Sequence, residues 1–287
     1  MAILCCASAT QRTHGIVARR SHAGARCAAK DQIAEAHGKQ LLVRQALGAG
    51  LPLAGVGCAI RREMLARIAA LRGGAPFDAT SLTEDYELGL TIGAMGGIAR
   101  LLRIAEAPGG PPVAVRAYFP GTIDAAVRQK ARWLTGIALA GWDRTGWSAP
   151  LHVGDHWMRM RDRRVALAMP VLAIGYCALV AWGVSLGLHW ALDSVAPPIT
   201  PGVQALLLAN LLLLGWRLVV RAAFVLRAYG WREALWSAPR MAVGNYIGLL
   251  AARRAMMLYA RILAGGAPTW EKTAHEFPDE APRERSP

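Results

Sequence analysis

Residues 165–192 contain no Asp, Glu, Lys or Arg. As a helix rising about 1.5 Å per residue, such a stretch outreaches the roughly 30 Å hydrocarbon core of a bilayer. A second apolar run, residues 203–219, passes through Leu206, Leu207, Leu208 and Leu211 to Leu214. The two runs predict membrane spans at about residues 165–189 and 203–222. Arg217 and Arg221 end the second on one face, where their stems can snorkel toward headgroups. Arg161, Arg163 and Arg164 precede the first span, and Arg217, Arg221, Arg227 and Arg232 close the second. The connector at 193–202 has no Lys or Arg, so both large flanks are expected on the cytoplasmic side. In 241–263 the apolar part ends at Ala252 and Arg253 and Arg254 interrupt it. That length predicts an interfacial or re-entrant helix rather than a third span.

This patterning explains the composition. A hydrophobic content of 54% is high for a soluble chain of 287 residues, and the formal charge of +14 raises the question of nucleic acid. The basic residues form no single stripe and flank apolar segments instead, so a nucleic-acid partner is not expected. The five cysteines include no C-x-x-C pair and no zinc spacing, which predicts neither a disulfide framework nor a metal site of that kind. Cys58 and Cys177 lie in apolar surroundings and are expected to be buried, inert thiols.

Residues 1–30 lack Asp and Glu and show no periodicity. They fit a basic transit peptide or a disordered start; a misassigned start joined to a genuine frame near Asp31 fits better. From Asp31 onward, apolar residues on one face and charges on the other predict an amphipathic helix. Residues 51–62 form a short apolar run broken by Gly55 and Gly57, which suit either close backbone approach to a ligand or a plain turn. A helix follows over 63–71. Thr83 stands at the N-cap of another helix with Glu84 and Asp85 in its first turn, residues 111–120 read as a strand, and Thr122 opens a helix carrying Gln129, Arg132 and Trp133.

Two patterns gain weight from their order. Thr83-Glu84-Asp85 is followed by Gln129-Lys130-Ala131-Arg132-Trp133, a Q-x-x-R-W motif, and then by the membrane spans. This arrangement, with Gly55 and Gly57 in the place of a glycine-containing acceptor segment, resembles the processive, membrane-integrated family-2 glycosyltransferases such as cellulose and hyaluronan synthases. The resemblance covers roughly residues 31–280. It implies an α/β chain with membrane helices: the C-terminal half of a GT-A-type catalytic domain over 31–150, a membrane region over 151–265 with two transmembrane helices and an interfacial helix, and a cytoplasmic tail over 266–287. It also implies a multi-pass protein of the bacterial inner membrane whose catalytic part is cytoplasmic.

The chemistry asked of such an enzyme suits these residue types. Attack of an acceptor hydroxyl on an anomeric carbon needs a base, and Asp85 is the candidate. Thr83 and Glu84 would orient that turn, though Glu84 is also an ordinary solvated first-turn acid. A leaving diphosphate suits a fixed guanidinium, Arg132, with a second hydrogen bond from Gln129. Trp133 offers a face for a sugar ring, or serves as a core or interfacial tryptophan. The implied partners are a nucleotide sugar, a glycan acceptor, the bilayer and other envelope proteins. The family also implies Mg or Mn held by an Asp-x-Asp pair, and this sequence contains no Asp-x-Asp. The chain by itself is therefore expected to be inactive as a transferase. The alternative is a non-enzymatic inner-membrane scaffold that retains relic motifs, and Asp85→Asn separates the two.

Overall fold

The computed structural model describes residues 2–5, 20–55, 57–102, 104, 107–108 and 119–267. The strand expected over 111–120 falls mostly outside these residues, and the polar tail from residue 268 falls wholly outside them. Helix dominates what is described. Three short strands, β1 (Ala2–Cys5), β2 (Cys58–Ala59) and β3 (Ile98–Leu101), form one sheet in the order β2-β1-β3. β1 pairs antiparallel with β2 and parallel with β3.

The helix expected from Asp31 begins earlier. α1 (Arg20–Glu35) passes through a π-helical turn, Ala36–Gln40, into α2 (Leu41–Ala46). Its polar side is not simply solvated. Lys30, Asp31 and Arg44 are buried because each has a charged partner on the elements that follow. Lys30 pairs with Glu233 at 2.8 Å, Arg240 joins both Glu233 and Asp31, and Glu35 pairs with Arg221 at 3.1 Å. Pairing of this kind is what permits charges to leave water.

One core cluster gathers Leu51, Leu53, Met64, Ile68, Leu88, Ile92 and Leu101. Met64 and Ile68 come from one face of α3 (Arg62–Leu71), and Leu88 and Ile92 from α4 (Glu84–Ala94), in both cases at the i, i+4 spacing of a helix stripe. A second cluster joins Val127 and Ala131 of α5 (Ile123–Leu134) to Ile247, Ala251 and Ala255. A π-helical turn, Thr135–Leu139, follows α5 directly and leads into α6 (Ala140–Thr145).

Three long helices complete the described residues: α7 (Val153–Ala191), α8 (Pro201–Tyr229) and α9 (Trp231–Leu263). The first two are long and apolar enough to cross a membrane. Their outer faces expose Leu167, Val171, Ile174, Leu206, Leu207 and Leu211. α7 is longer than a bilayer core requires, so its first turns, before Val165, stand outside the apolar segment. Cys177 is exposed on α7 and Cys58 is half-buried. This corrects the expectation of two buried thiols: an apolar neighbourhood on a span places a side chain on the outer face, not in a protein core. α9 is one continuous helix that contains the 241–263 segment, and it lies against α5 through its alanines.

Candidate active site

Thr83 has the backbone of an N-cap, with φ −147°, yet its side chain caps nothing. Its N–H donates to Ser81 Oγ at 3.2 Å, and its buried Oγ1 has no hydrogen-bond partner among the described residues. The free end of α4 is served instead by Asp85, whose Oδ1 accepts the Tyr86 N–H at 2.8 Å. From the other side, Ser81 Oγ donates to Glu87 Oε1 at 2.6 Å and Arg144 Nε donates to Glu87 Oε2 at 3.0 Å. Arg144 also reaches Asp78 and Thr80, so α6 is fastened to the base of α4.

Asp85 points toward the glycine segment. Gly55 has φ +73°, and a Cβ built on it would lie 3.0 Å from Asp85 Oδ2. Gly57 also takes a positive φ, +64°, at the entry to β2. Both glycines hold backbone conformations that other residues rarely adopt. Burial raises the pKa of Asp85, and the Glu84 carboxylate adds to this. The Tyr86 N–H and the charge of Arg132 pull it back.

The Q-x-x-R-W residues reach this place through helix geometry. Val127, Ala131 and Thr135 turn one stripe of α5 and its π turn toward α9; Thr135 is wholly buried there. Gln129, Arg132 and Trp133, at i, i+3 and i+4, form the stripe opposite. Gln129 is buried and Trp133 half-buried on that side. One turn further on, Gly136 meets Thr83 so closely that a Cβ would stand 2.6 Å from Thr83 Oγ1. The π turn that carries Gly136 is the kind of local distortion that recurs at functional sites. Two motifs separated by some forty residues of sequence thus converge on one place, with Gly55 on Asp85, Gly136 on Thr83 and the Arg132 charge felt by Asp85.

The comparison with known families decides what this convergence belongs to. The profile described as glycosyl transferase family group 2 matches residues 8–220. The chain belongs to this family. Within the curated proteins, bacteriophage adsorption protein B of Escherichia coli K12 is 31% identical over 275 residues, covering 86% of this chain and 36% of that protein. Bacteriophage N4 adsorption protein B of Escherichia coli O157:H7 matches to the same extent. The chain therefore spans about a third of the length of the curated relatives it matches. No solved structure matches it.

Family-2 enzymes generally use a divalent metal. Among the described residues no three His, Cys, Asp or Glu side chains converge as a metal would require. Asp85 has only its chain neighbour Glu84 as a further carboxylate, beside a guanidinium and a backbone N–H. The donor set present does not fit a divalent cation, and the chemistry below is assigned to side chains alone. A cleft of about 530 Å³ lies on the opposite face of α4, walled by Arg72, Asp78, Glu87, Thr91 and Arg144; none of the motif residues lines it.

Several residues of the site were not singled out in the sequence. Gly89 and Gly93, one turn apart on α4, let residues 50–53 lie directly on that helix; a Cβ on Gly89 would stand 2.3 Å from the Leu51 carbonyl. Their i, i+4 spacing was a readable signal. Gly136 had no such signal, because its partner Thr83 is distant in sequence.

Proposed function

We propose that residues 31–150 form the acceptor-side half of a GT-A-type catalytic domain, with residues 151–265 anchoring it in the bacterial inner membrane and residues 266–287 forming a cytoplasmic tail. The observation that carries this reading is the convergence of Asp85 and Thr83 with Gly55, Gly136 and Arg132. The reaction is transfer of a sugar from a nucleoside diphosphate to a hydroxyl of a growing surface polysaccharide or glycan. The names of the relatives tie those proteins to bacteriophage adsorption, which suits a product displayed at the cell surface.

In the proposed mechanism the acceptor hydroxyl approaches beside Gly55 and Gly57, whose missing side chains allow it close to the backbone. Its oxygen forms a bond to the anomeric carbon as Asp85 takes its proton. The bond from that carbon to the diphosphate oxygen breaks, and its electron pair leaves with the diphosphate. Arg132 and Gln129 donate hydrogen bonds to the charge that develops there. Trp133 stacks on a sugar ring. Thr83, packed under Gly136, and Glu84 flank the base on its turn.

The test is Asp85→Asn at the gene's own chromosomal locus, with membranes assayed for incorporation of radiolabel from a panel of UDP-sugars. Loss of a general base lowers transfer by about 10²–10⁴ fold. Unchanged incorporation would leave the non-enzymatic scaffold as the standing interpretation. The detergent-purified 287-residue chain, assayed alone with Mg or Mn, is expected to transfer no sugar, and transfer by it would overturn that part of the proposal.

A further inference from the structure

The residue after the candidate base is tied to the helix that enters the membrane. Tyr86 Oη donates to Asp162 Oδ2 at 2.6 Å, and Asp162 lies on α7 only three residues before the apolar segment opens at Val165. The same carboxylate accepts two hydrogen bonds from Arg44 Nη1, at 3.0 and 2.7 Å. Arg44 is itself 3% exposed, and its Nε donates to the Gly50 carbonyl at 2.7 Å. Two turns earlier on α7, Asp155 Oδ1 accepts the Gly50 N–H at 2.9 Å, while its Oδ2 takes Arg159 Nε at 2.9 Å. Both backbone groups of Gly50 are thus held, and Gly50 begins the segment that leads to Gly55.

Solubility of the basic flank does not require this arrangement. Arg161, Arg163 and Arg164 would suffice to mark a cytoplasmic helix end, and the one acid among them costs charge there. Burial, together with the Asp162 carboxylate, raises the Tyr86 phenol well above its ordinary value, so Tyr86 remains a donor throughout the physiological range. A half-buried carboxylate that takes three hydrogen bonds from two buried partners is a fixed joint rather than a surface ion pair.

We propose that Asp162, through Tyr86 and Arg44, is a positioning residue that fixes the Asp85 turn and the Gly50–Gly55 segment to the first membrane helix, so that the placement of Asp85 follows α7. The proposal rests on the reading of Asp85 as the base only for its consequence in sugar transfer; the joint itself is independent of it. A rotation or tilt of α7 at the bilayer surface would then move base and acceptor segment together, keeping their mutual geometry while changing their height above the membrane.

The test uses the full chain purified in detergent, labelled with a carbodiimide and glycine ethyl ester, with labelling of each carboxyl read by peptide mass spectrometry. Asp162→Asn and the milder Tyr86→Phe are each expected to speed labelling of Asp85 at least threefold. The double variant should add little to either single change, because all three remove the same joint. Asp31, buried on α1 away from the joint, reports general loosening and should label as in the parent chain. Unchanged Asp85 labelling in both variants, or Asp31 labelling that rises in step with it, overturns the proposal. In membranes that transfer sugar, Asp162→Asn is further expected to lower kcat at least tenfold with the KM for the UDP-sugar within twofold, and a rise in KM alone would also overturn it. If the joint responds as expected while Asp85→Asn transfers normally, the assignment of the base is what fails and the joint stands.

Discussion

At the scale of single residues, Asp85 and Lys130 make opposite predictions about pH. Burial raises the Asp85 carboxyl above its ordinary 3.8. A base must be ionised to accept a proton, so transfer should fall on acidification at a higher pH than an ordinary carboxylate would dictate, as a kcat profile would record. The linkage runs the same way: a carboxyl whose folded pKa is raised stabilises the fold only while protonated, and that stability is lost as pH rises through the folded value. Asp85→Asn should therefore raise the thermal midpoint near neutral pH, with the gain disappearing in acid. Lys130, within the Q-x-x-R-W motif, is pushed down to about 8, first by burial and then by the nearby Arg221. Below that pH the folded chain carries an ammonium it disfavours, so stability rises as pH climbs from about 8 toward the 10.5 of the free side chain. Lys130→Met, which also removes the Nζ donation to Gln32 Oε1 at 2.8 Å, should therefore compare better with the parent chain in thermal midpoint at pH 7 than at about pH 10. Gly136 gives a steric prediction. Its Cβ position is occupied by the buried, β-branched Thr83, so Gly136→Val should cost about 1–3 kcal/mol of stability. Transfer should fall with it, measured by thermal unfolding and by radiolabel incorporation.

At the scale of elements, α5 is a helix with two tasks on opposite stripes. Val127 and Ala131 meet Ile247, Ala251 and Ala255 of α9, and the small side chains bring the two axes close. Ala251, fully buried in this seam, leaves no room for growth. Ala251→Leu should destabilise the detergent-purified protein by about 1–3 kcal/mol and reduce sugar transfer without touching a motif residue, because it shifts the stripe that carries Arg132. Periodicity located α5 and its motif correctly, since both depend on neighbours within a turn or two. It located the apolar stretch 241–263 as well, but described it by its relation to lipid. The structure shows the same helix as the bed on which the motif helix lies, a relation that requires Ala251 and Ala255 to be matched with residues over a hundred positions earlier. The charged side of α1 could not be placed for the same reason: Lys30 and Asp31 are buried only because Glu233 and Arg240 are brought beside them.

For the whole molecule, the arrangement of Arg residues about the two apolar helices predicts one short connector on the far side of the membrane and everything else on the cytoplasmic side. In a chain freed of its native cysteines, Ser194→Cys should be modified in intact spheroplasts by a membrane-impermeant maleimide, and Ser148→Cys only after lysis. Equal labelling of both would reject this orientation. The sequence by itself determined the features that arise within a few turns: two apolar helices of membrane length, the Arg residues that flank them, the helix that bears Gln129, Arg132 and Trp133, and the acid-rich first turn holding Asp85. Each follows from helical periodicity, from the cost of placing charge in hydrocarbon, or from capping. Only the tertiary structure decided which of these meet. Thr83 against Gly136, Asp85 against Gly55, and Tyr86 and Arg44 on Asp162 are contacts between residues far apart in the chain. They depend on backbone approach allowed by missing side chains and on charges that tolerate burial only once their partners arrive, and neither condition is visible from one segment of sequence alone.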